Sequence, residues 1–399
     1  MKILHFAPDQ KFIRLQQDLF EEAFPISNSW RIQGDSEKPF QYEILAHNTR
    51  RVPRAYYYSE ELKKESEDFD LLIVHSMTAE HATGVKTVNP KICIFWIGFG
   101  HDYYHLMERQ LGPLLLDRTL QLDQMISKKD RWLRLLSPWR VTNAFKGRIQ
   151  SLLSQNNFVQ GDPLIEVADR IDVYRISEAE VEMLQKVLPL FRADFHVHHY
   201  YTTEDVFDKG PKEMAGPDVL LGNSATATNN HIEAMELLKK AKITGRNIMV
   251  PLNYGSPLYA KEICKIGHKL FGNLFNPLKK WLPIGEYNQA IENCGFVVMN
   301  HRRIQAFGNI NAAIYKGAKL FIRPENPLYK FYLSMGIKIF SIDELAEKGL
   351  NALTPVDNRV RGKNRAIIGE YMSRKNTIAH IRGLEKFVIK KRTGQCGQD

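Results

Sequence analysis

A segment of small and hydroxyl-bearing residues, LGNSATATNNH at positions 221–231, has the composition of an anion-binding loop. Such side chains leave backbone N–H groups open to an approaching anion, and a helix that starts after the loop adds the positive end of its dipole. A diphosphate would suit this place. The residues predicted to contact it are Gly222, Asn223, Ser224, Thr226, Asn229 and Asn230. The alternative is an ordinary loop in which Thr228 or Asn230 caps the helix, since the spacing fits neither a Walker nor a dinucleotide motif.

A pair of arginines, Arg302 and Arg303, lies in the sequence NHRRIQAFGN, which also follows an apolar run. Guanidinium groups form charge-assisted hydrogen bonds to phosphate oxygens. A solvated basic turn is the more common explanation for one such pair. However, open α/β sheets bind ligands at the carboxyl ends of their strands, and this segment repeats the position of the first. We therefore predict that both arginines contact the same ligand, with Arg303 also acting in catalysis. The other predicted contacts in this segment are Gln305, Gly308 and Asn309.

Two further loops complete a ring at predicted strand ends. Tyr254 and Gly255 follow an apolar run in PLNYG, and Glu325 and Asn326 follow another in RPENP. All four are predicted to contact the ligand. Glu325 could accept hydrogen bonds from a ribose or sugar hydroxyl, or it could cap its own helix, and the sequence leaves both alternatives open.

The first half of the chain offers a possible general base in WIGFGHDYY at positions 96–104. His101 and Asp102 follow a predicted strand, and Asp102 is the candidate for removing a proton from an acceptor hydroxyl. The alternative is that Asp102 caps the next helix. His75, at the end of another predicted strand, is either a second residue of the same site or a buried neutral histidine. His196 and His198 could share one face of a strand, but no carboxylate or cysteine set accompanies them, so no metal is predicted.

Short apolar runs alternate with helical patterns along the chain. The runs are 2–7, 70–75, 91–97, 218–221, 247–251, 295–299 and 319–322, and the helical patterns include 230–241, 259–271, 284–293 and 309–316. This alternation predicts an α/β fold with parallel sheets covered by helices. A length of 399 residues favours two domains, and the polar segment 202–216 is typical of a linker. We predict an N-terminal domain over 1–210, a second domain over 211–365 and a helical tail over 366–399.

The net charge of +10 and the pI of about 9.2 indicate an anionic partner, which could be nucleic acid, anionic lipid or a phosphate-bearing small molecule. The basic, tryptophan-containing stretch 128–148 could lie on an anionic bilayer or form a solvated helix pair, and the net charge favours the membrane surface. The N-terminus lacks the apolar core of a signal peptide, and no apolar run approaches about 20 residues. We therefore predict a protein of the cytoplasm or of the cytoplasmic side of a membrane, with Cys93 and Cys294 as buried thiols.

The motifs LLGNSATATNNHIEA, VPLNYG, HRRIQAFGN and the ENP of RPENP, in this order and spacing, resemble glycosyltransferase family 56. These are bacterial N-acetylfucosaminyltransferases of enterobacterial common antigen synthesis. The resemblance covers most of the chain and is strongest over 218–343. The segment WIGFGHDYY resembles the family's WG-x-D-L-Y stretch, although Ile97-Gly98-Phe99-Gly100 replaces the Trp-Gly pair and Tyr104 stands where leucine is usual.

The resemblance implies a GT-B fold, in which two Rossmann-like parallel-sheet domains face each other across a cleft. The first domain would bind the acceptor and the second the nucleotide sugar. The implied reaction is transfer of N-acetylfucosamine from its dTDP donor to an undecaprenyl-diphosphate-linked disaccharide, by a peripheral protein on the cytoplasmic face of the bacterial inner membrane. No metal or other cofactor is implied, because Arg303 and helix dipoles would neutralise the leaving diphosphate.

Other functions fit part of the sequence. A glycosyltransferase could use another nucleotide sugar, or another glycan or a protein as acceptor. A non-catalytic nucleotide-sugar sensor would share the same loops. A nucleic-acid-binding protein would share the basic charge, but no recognised motif accompanies it, and nucleic acid is not predicted as a partner. An epimerase would normally carry a G-x-G-x-x-G loop near its N-terminus, and residues 1–20 contain none.

Overall fold

The computed structural model describes residues 1–35, 37–42, 48–135, 161–206, 213–243, 245–280 and 282–394. The chain divides into two compact units, each built from separate parts of the sequence. Unit 1 consists of Met1–Met107, Ser154–Thr203 and Met372–Asp399, and unit 2 of Glu108–Leu153 and Glu204–Tyr371. Each unit contains a parallel β-sheet, which confirms the predicted α/β class with two parallel sheets.

Unit 1 contains a seven-stranded sheet with the order β3-β2-β1-β4-β5-β6-β7, and all its pairs are parallel. Its strands are β1 (Ile3–Pro8), β2 (Asn28–Gln33), β3 (Thr49–Val52), β4 (Leu71–His75), β5 (Cys93–Ile97), β6 (Val173–Arg175) and β7 (Asp194–Phe195). Every residue of LLIVH in β4 and of CIFWI in β5 is buried. Continuous apolar runs of this kind are typical of parallel strands covered by helices on both faces.

Unit 2 contains a six-stranded sheet with the order β10-β9-β8-β11-β12-β13, again parallel throughout. Its strands are β8 (Val219–Leu221), β9 (Ile248–Pro251), β10 (Phe275–Leu278), β11 (Phe296–Met299), β12 (Lys319–Ile322) and β13 (Phe340–Ser341). The chain runs outward from β8 to β10 and then returns to the other side of β8 at β11. The strand order therefore reverses between β8 and β11, and the loops after two such strands diverge and can receive a ligand.

The helices of the described residues are numbered in chain order. They are α1 (Lys11–Ala23), α2 (Glu60–Glu65), α3 (Ala79–Thr87), α4 (Tyr104–Leu111), α5 (Asp117–Leu135), α6 (Val181–Val187), α7 (Thr203–Val206), α8 (His231–Lys240), α9 (Pro257–Phe271), α10 (Ile284–Ile291), α11 (Phe307–Tyr315), α12 (Pro327–Ser334), α13 (Ile342–Lys348), α14 (Asn358–Tyr371), α15 (Arg374–Arg382) and α16 (Glu385–Arg392). In unit 2, Met235 and Leu238 of α8 and Ile263 of α9 pack in the same buried cluster as Val219 and Val298 of the sheet.

The C-terminal segment predicted as a separate tail, 366–399, is divided between the two units. Its first residues complete α14 in unit 2, whereas α15 and α16 pack on unit 1. Ile381, Leu384 and Val388 join the buried cluster that contains Phe20 and Trp30. The apolar faces of these two helices cover one side of the first sheet. The predicted first domain, 1–210, also differs from unit 1, because α5 lies in unit 2.

The cysteines predicted to be buried, Cys93 and Cys294, lie in the core, as does Cys264. Most of the basic stretch 128–148 lies outside the described residues, so its predicted membrane contact stays a prediction. Among the residues that the structure describes, no helix is long and apolar enough to cross a membrane.

Candidate functional site

Four loops lie at the carboxyl edge of the sheet in unit 2, after β8, β9, β11 and β12. They comprise residues 222–230, 252–256, 300–306 and 323–326. Because neighbouring strands are parallel, their carboxyl ends lie side by side. The structure therefore brings together the four segments that were predicted separately to contact a ligand.

The side chain of Asn229 holds the loop after β8 in shape. It is fully buried, and its Nδ2 donates to the backbone oxygens of Ser224 (3.0 Å) and Thr226 (3.1 Å). Its Oδ1 accepts from the backbone N–H of Asn223 at 3.0 Å and from Nε2 of His301 at 2.8 Å. The polar side-chain atoms of Asn229 thus form hydrogen bonds within the protein. This residue positions the loop that would contact a ligand.

Gln305, from the loop after β11, joins that loop to the one after β8. Its Nε2 donates to Oδ1 of Asn223 at 3.0 Å and to Oγ1 of Thr226 at 3.1 Å, and its Oε1 accepts from Oγ1 of Thr228 at 2.6 Å. All four side chains are partly exposed. They form a polar surface at the point where the strand order reverses.

Gly222 begins the loop after β8 in a left-handed backbone conformation, with φ +68°. A Cβ atom there would lie 2.7 Å from Nε2 of His231 and 2.8 Å from Oδ1 of Asn229. Only glycine adopts this conformation without strain and leaves room for both side chains. The predicted importance of Gly222 thus has a steric reason.

Gly255 allows the loop after β9 to pack closely against the loop after β8. Its φ is +113°, and a Cβ atom would lie 2.5 Å from the backbone oxygen of Ala225. The Ala225 N–H donates to the carbonyl oxygen of Tyr254 at 2.6 Å, while the Tyr254 residue is 76% exposed. An exposed aromatic ring therefore stands beside the polar surface.

Asn230 occupies the N-cap position of α8 in the left-handed conformation, but its side chain does not cap the helix. Instead, its Nδ2 donates to the carbonyl oxygens of Leu114 (3.1 Å) and Asn300 (3.2 Å), and its Oδ1 accepts from the N–H of Leu116 at 2.8 Å. The residue is fully buried. Its bonds fix the segment before α5 to two of the site loops.

The segment leading into α5 reaches this site although the sequence did not predict it. Glu233 of α8 accepts from the N–H of Thr119 at 2.8 Å and from its hydroxyl at 2.6 Å. Arg302 donates to the carbonyl oxygen of Pro113 at 2.7 Å. The partners are separated by 114 and 189 positions along the chain. No local pattern near Pro113 signals contacts over such distances.

Helix α11 begins at the site without a capping side chain. Its N-cap residue is Ala306, in the left-handed conformation, and its first turn contains no acidic residue. The first N–H groups of a helix lack intrahelical acceptors and carry the positive end of the dipole. Gly308 and Asn309 lie in this turn, where Nδ2 of Asn309 donates to the Tyr287 hydroxyl at 3.3 Å. The helix start is suited to an anion.

Arginines dominate the charge of the loops after β11 and β12, which contain Arg302, Arg303 and Arg323. Nitrogen atoms of Arg302 and Arg323 lie 3.7 and 2.9 Å from a carboxylate oxygen of Glu325. Burial opposes the ionisation of Glu325, but the hydrogen bond from Arg323 and the positive charges of both arginines lower its pKa below the ordinary value. The ionised carboxylate of Glu325 thus lies beside two arginines, and the two loops together contain three arginines and one acidic residue.

Asn326 caps α12, so the alternative that Glu325 caps this helix is wrong. Its Oδ1 accepts from the N–H of Leu328 at 3.0 Å, and its Nδ2 donates to the carbonyl oxygens of His301 (3.1 Å) and Arg303 (2.8 Å). Asn326 is fully buried, whereas the Glu325 side chain is 43% exposed. Asn326 therefore holds the arginine loop, and Glu325 remains accessible.

Two buried histidines beneath the loops, His231 and His301, were not among the predicted residues. Burial lowers the pKa of each to about 3, so both are neutral at pH 7. Since Oδ1 of Asn229 can only accept, Nε2 of His301 carries its proton. Both histidines stand within the quoted motifs, but nothing in those motifs indicates burial.

In unit 1, the carboxylate of Asp102 accepts three N–H groups. Oδ2 accepts from the backbone of Met77 at 2.9 Å and from Nε1 of Trp96 at 3.0 Å, and Oδ1 accepts from the backbone of Phe99 at 2.9 Å. The residue is 6% exposed. These bonds bend the loop after β5 and join it to the segment after β4, so Asp102 has a structural task whatever else it does.

His75 is fully buried and does not reach the surface, so its predicted contact with a ligand is not supported. Its Nε2 lies 3.2 Å from Nδ1 of His5, and burial lowers its pKa well below the ordinary value. The structure therefore supports the alternative interpretation of His75, a buried neutral histidine. His101 is exposed, and its Nε2 lies 2.9 Å from the hydroxyl of Ser76.

The histidines considered for metal binding make other contacts. His196 donates to the carbonyl oxygen of His380 at 2.7 Å, and Nε2 of His198 lies 2.6 Å from Oε1 of Gln16. Within the described part of the chain, no group of three or more His, Cys, Asp or Glu side chains is placed to hold a metal ion.

Residues 196–355 match the family model described as 4-alpha-L-fucosyltransferase glycosyl transferase group 56. This segment contains the four loops of the candidate site. The match confirms the family predicted from the motifs and supports a glycosyltransferase that uses a nucleotide sugar.

Solved structures share the fold over nearly the whole chain. HepE of Anabaena, in complex with UDP and glucose, has a TM-score of 0.58 at 10% identity, with 97% of this chain and 99% of that chain covered. The N-terminal domain of Candida albicans trehalose-6-phosphate phosphatase has a TM-score of 0.63 at 7% identity, with coverage of 98% and 97%. The apo structure of OtsA has a TM-score of 0.57 at 9% identity, with coverage of 98% and 99%. The similarity establishes a GT-B fold.

Proposed function

We propose that this glycosyltransferase of group 56 transfers N-acetylfucosamine, a 4-acetamido-4,6-dideoxyhexose, from a dTDP-sugar to an undecaprenyl-diphosphate-linked oligosaccharide in cell-surface polysaccharide synthesis. The donor class is supported by the family match over residues 196–355. The acceptor follows from the same family resemblance, as does a peripheral location on the cytoplasmic face of the inner membrane.

One observation carries the donor part of the proposal. The loops 222–230 and 300–306 are joined by Gln305 and Asn229 where the strand order reverses, beside the uncapped start of α11 and the arginine loop. A diphosphate needs N–H donors and positive charge at one place, and both are present there. The diphosphate would contact the backbone of 222–226, the first turn of α11 and the two adjacent arginines.

The leaving group is the nucleoside diphosphate, on which negative charge develops as the glycosidic bond breaks. Arg303 and the α11 dipole would stabilise this charge, the kind of electrostatic contribution that commonly dominates catalysis. Glu325 is ionised and accessible, so it would accept hydrogen bonds from the nucleoside or sugar hydroxyls. The exposed Tyr254 offers a ring surface at the other side of the loop after β8.

Asp102 is our candidate for the general base that takes the proton of the acceptor hydroxyl. Its Oδ1 accepts one N–H group and keeps a second lone pair. The test is Asp102→Asn, measured as sugar transfer alongside thermal unfolding. Loss of transfer in a variant that still binds donor supports the base role. Transfer near the wild-type rate would leave Asp102 with its structural task only.

The donor proposal is tested by thermal-shift screening with dTDP-, UDP- and GDP-sugars, followed by kinetics of Arg303→Gln. We expect the dTDP-sugar to raise the unfolding temperature most. We also expect the substitution to lower kcat by about 10²- to 10³-fold, as the loss of one charge-stabilising donor does elsewhere. Arg359→Gln is the control, since Arg359 is exposed on α14 of the same unit. Equal kcat values for the two variants would contradict the role of Arg303.

A further inference from the structure

Arg175 stands at the carboxyl end of β6 in unit 1, and the sequence did not single it out. Its Nε donates to the carbonyl oxygen of His198 at 2.7 Å, and its guanidinium carbon lies 5.4 Å from the centre of the Tyr200 ring. The residue is partly exposed. The hydrogen bond from Nε and the contact with the Tyr200 ring therefore hold the guanidinium in place. Its two terminal amino groups make no hydrogen bond to the residues that the structure describes.

An aromatic stack extends from this arginine. The rings of Tyr200 and Phe99 lie 4.4 Å apart at an angle of 24°, and those of Phe99 and His101 lie 6.2 Å apart at 18°. Phe99 and Tyr200 are partly exposed and His101 is exposed. We call Arg175, Tyr200, Phe99 and His101 the Arg175 cluster. It combines a fixed cation with nearly parallel ring faces.

The backbone of the first sheet places the cluster at its carboxyl edge. Ile97 of β5 is paired with Arg175 of β6, and the N–H of Gly98 donates to the carbonyl oxygen of Arg175 at 2.7 Å. A Cβ atom at Gly98 would lie 2.8 Å from the Tyr103 ring, so the loop starts tightly against the sheet. Phe99 and His101 follow in this loop. Parallel α/β sheets bind ligands at this edge.

The positive charge of Arg175 has no carboxylate partner within the described ranges. The nearby carboxylates form hydrogen bonds with other groups. Asp102 accepts hydrogen bonds from three N–H groups, and Glu180 accepts hydrogen bonds from the hydroxyls of Tyr103 and Tyr104. A partly exposed guanidinium held in one orientation is suited to a carboxylate or phosphate, which it can bind through two parallel hydrogen bonds.

We propose that the Arg175 cluster is an acceptor-binding subsite that takes an oxyanion attached next to a sugar ring. The guanidinium would bind the oxyanion, and the ring faces would pack against the apolar face of the sugar. The oxyanion is either the diphosphate of the lipid carrier or a carboxylate on the glycan. This inference rests on the proposed function, because it assigns the acceptor of that reaction to named residues.

The test uses the full-length protein and three acceptor probes. The first is an acidic disaccharide linked through diphosphate to farnesol, the second is the same disaccharide on a neutral alkyl group, and the third is the first with its sugar carboxylates reduced to alcohols. We expect Arg175→Gln to raise the KM of the first probe by about 10- to 100-fold, as the loss of a charge-assisted hydrogen bond would. The value of kcat and the KM of the donor should change less than threefold.

The comparison of probes identifies the oxyanion. If the diphosphate binds Arg175, the substitution affects the first and third probes and leaves the second unchanged. If a sugar carboxylate binds, it affects the first and second and leaves the third unchanged. An equal effect on all three probes, or no effect on any, overturns the proposal. Arg192→Gln is the control, since Arg192 is exposed and precedes β7 at the opposite edge of the sheet.

Variants of Tyr200 test the ring contact without removing the cation. Tyr200→Phe keeps the ring and should keep the acceptor KM, whereas Tyr200→Leu should raise it about 10-fold. Equal KM values for the two variants would overturn the ring contact. Calorimetric binding of the first probe provides a separate readout. If the wild type transfers no sugar but Arg175→Gln weakens binding of this probe, the proposed reaction is wrong and the subsite is supported. If Arg175→Gln leaves binding of this probe unchanged, the subsite is wrong.

Discussion

At the scale of single residues, the predicted ligand contacts separate into two groups. Ser224, Asn229, Asn230 and Asn326 are buried and hydrogen-bonded within the protein. They shape the loops, and replacing one would leave buried polar partners unsatisfied, at a cost of about 1–3 kcal/mol for each. The exposed and partly exposed residues remain as candidates for direct contact. These are Asn223, Thr226, Tyr254, Gly255, Arg302, Arg303, Gln305, Gly308, Asn309 and Glu325.

Gly222→Ala tests whether the shape of the loop after β8 depends on the absence of a side chain. We expect it to destabilise the protein by about 1–2 kcal/mol through the left-handed backbone and by a further amount of about 1–3 kcal/mol through overpacking against His231 and Asn229. Donor affinity should fall with it. The measurements are urea unfolding and calorimetric binding of dTDP.

The control for this substitution is Gly245→Ala. Gly245 has φ +67°, against +68° for Gly222, but a Cβ atom there would have no neighbour within 4 Å. It should therefore show only the backbone cost and normal dTDP binding. Equal stability of the two variants would show that the contacts of Gly222 do not matter.

At the scale of elements, the capping of a helix N-terminus decides whether that terminus can bind a ligand. Helix α11 reaches the site with its first turn uncapped, whereas the first turn of α5 is bonded by Glu233. The same structural position, a helix N-terminus, is thus open to a ligand in one case and occupied by the protein in the other. The sequence patterns of the two helices do not distinguish these outcomes.

The helices α15 and α16 should be required for the stability of unit 1. Leu384→Ala, at a fully buried position beside them, should cost about 2–5 kcal/mol because it leaves a cavity in the core. Ile389→Ala is the control, since Ile389 is 55% exposed and its loss should cost less than about 1 kcal/mol. Amide hydrogen exchange of β1 and β5 measures the destabilisation in each of the two variants. If Leu384→Ala leaves exchange in these strands unchanged, the two helices are peripheral.

At the scale of the whole molecule, buried histidines make stability depend on pH. Burial lowers the pKa of His5, His231 and His301 to about 3 and that of His81 to about 4. Unfolded histidines titrate near 6.5. Because the unfolded state binds more protons below that pH, stability is complete above about 6.5 and falls as pH decreases toward 4. Each histidine contributes about 1.4 kcal/mol per pH unit in this range.

The unfolding temperature should therefore be nearly constant from pH 8 to pH 7 and fall steeply from pH 6 to pH 5. His81→Asn should reduce the steepness, while His268→Asn should not, since His268 is exposed. A constant unfolding temperature from pH 8 to pH 5 would mean that these histidines are not buried as neutral groups.

The sequence by itself determined the fold class, the positions of the four loops and the family. Local patterns suffice for these three features. Apolar runs and helical periodicity are properties of residues that are close in sequence, and the motifs LLGNSATATNNHIEA and HRRIQAFGN lie in continuous segments. Strands predicted at 218–221, 247–251, 295–299 and 319–322 are present as β8, β9, β11 and β12. Parallel pairing then necessarily brings their carboxyl ends together.

Only the tertiary structure decided which residues face the ligand and which hold the loops. Whether an asparagine is buried or exposed depends on partners far along the chain, as with Asn230 and Leu116 or Asn229 and His301. The same holds for α15 and α16, which complete unit 1 from the end of the chain, and for Arg175, which becomes notable only beside Tyr200. Burial and long-range hydrogen bonds have no local signature, so the sequence could not determine them.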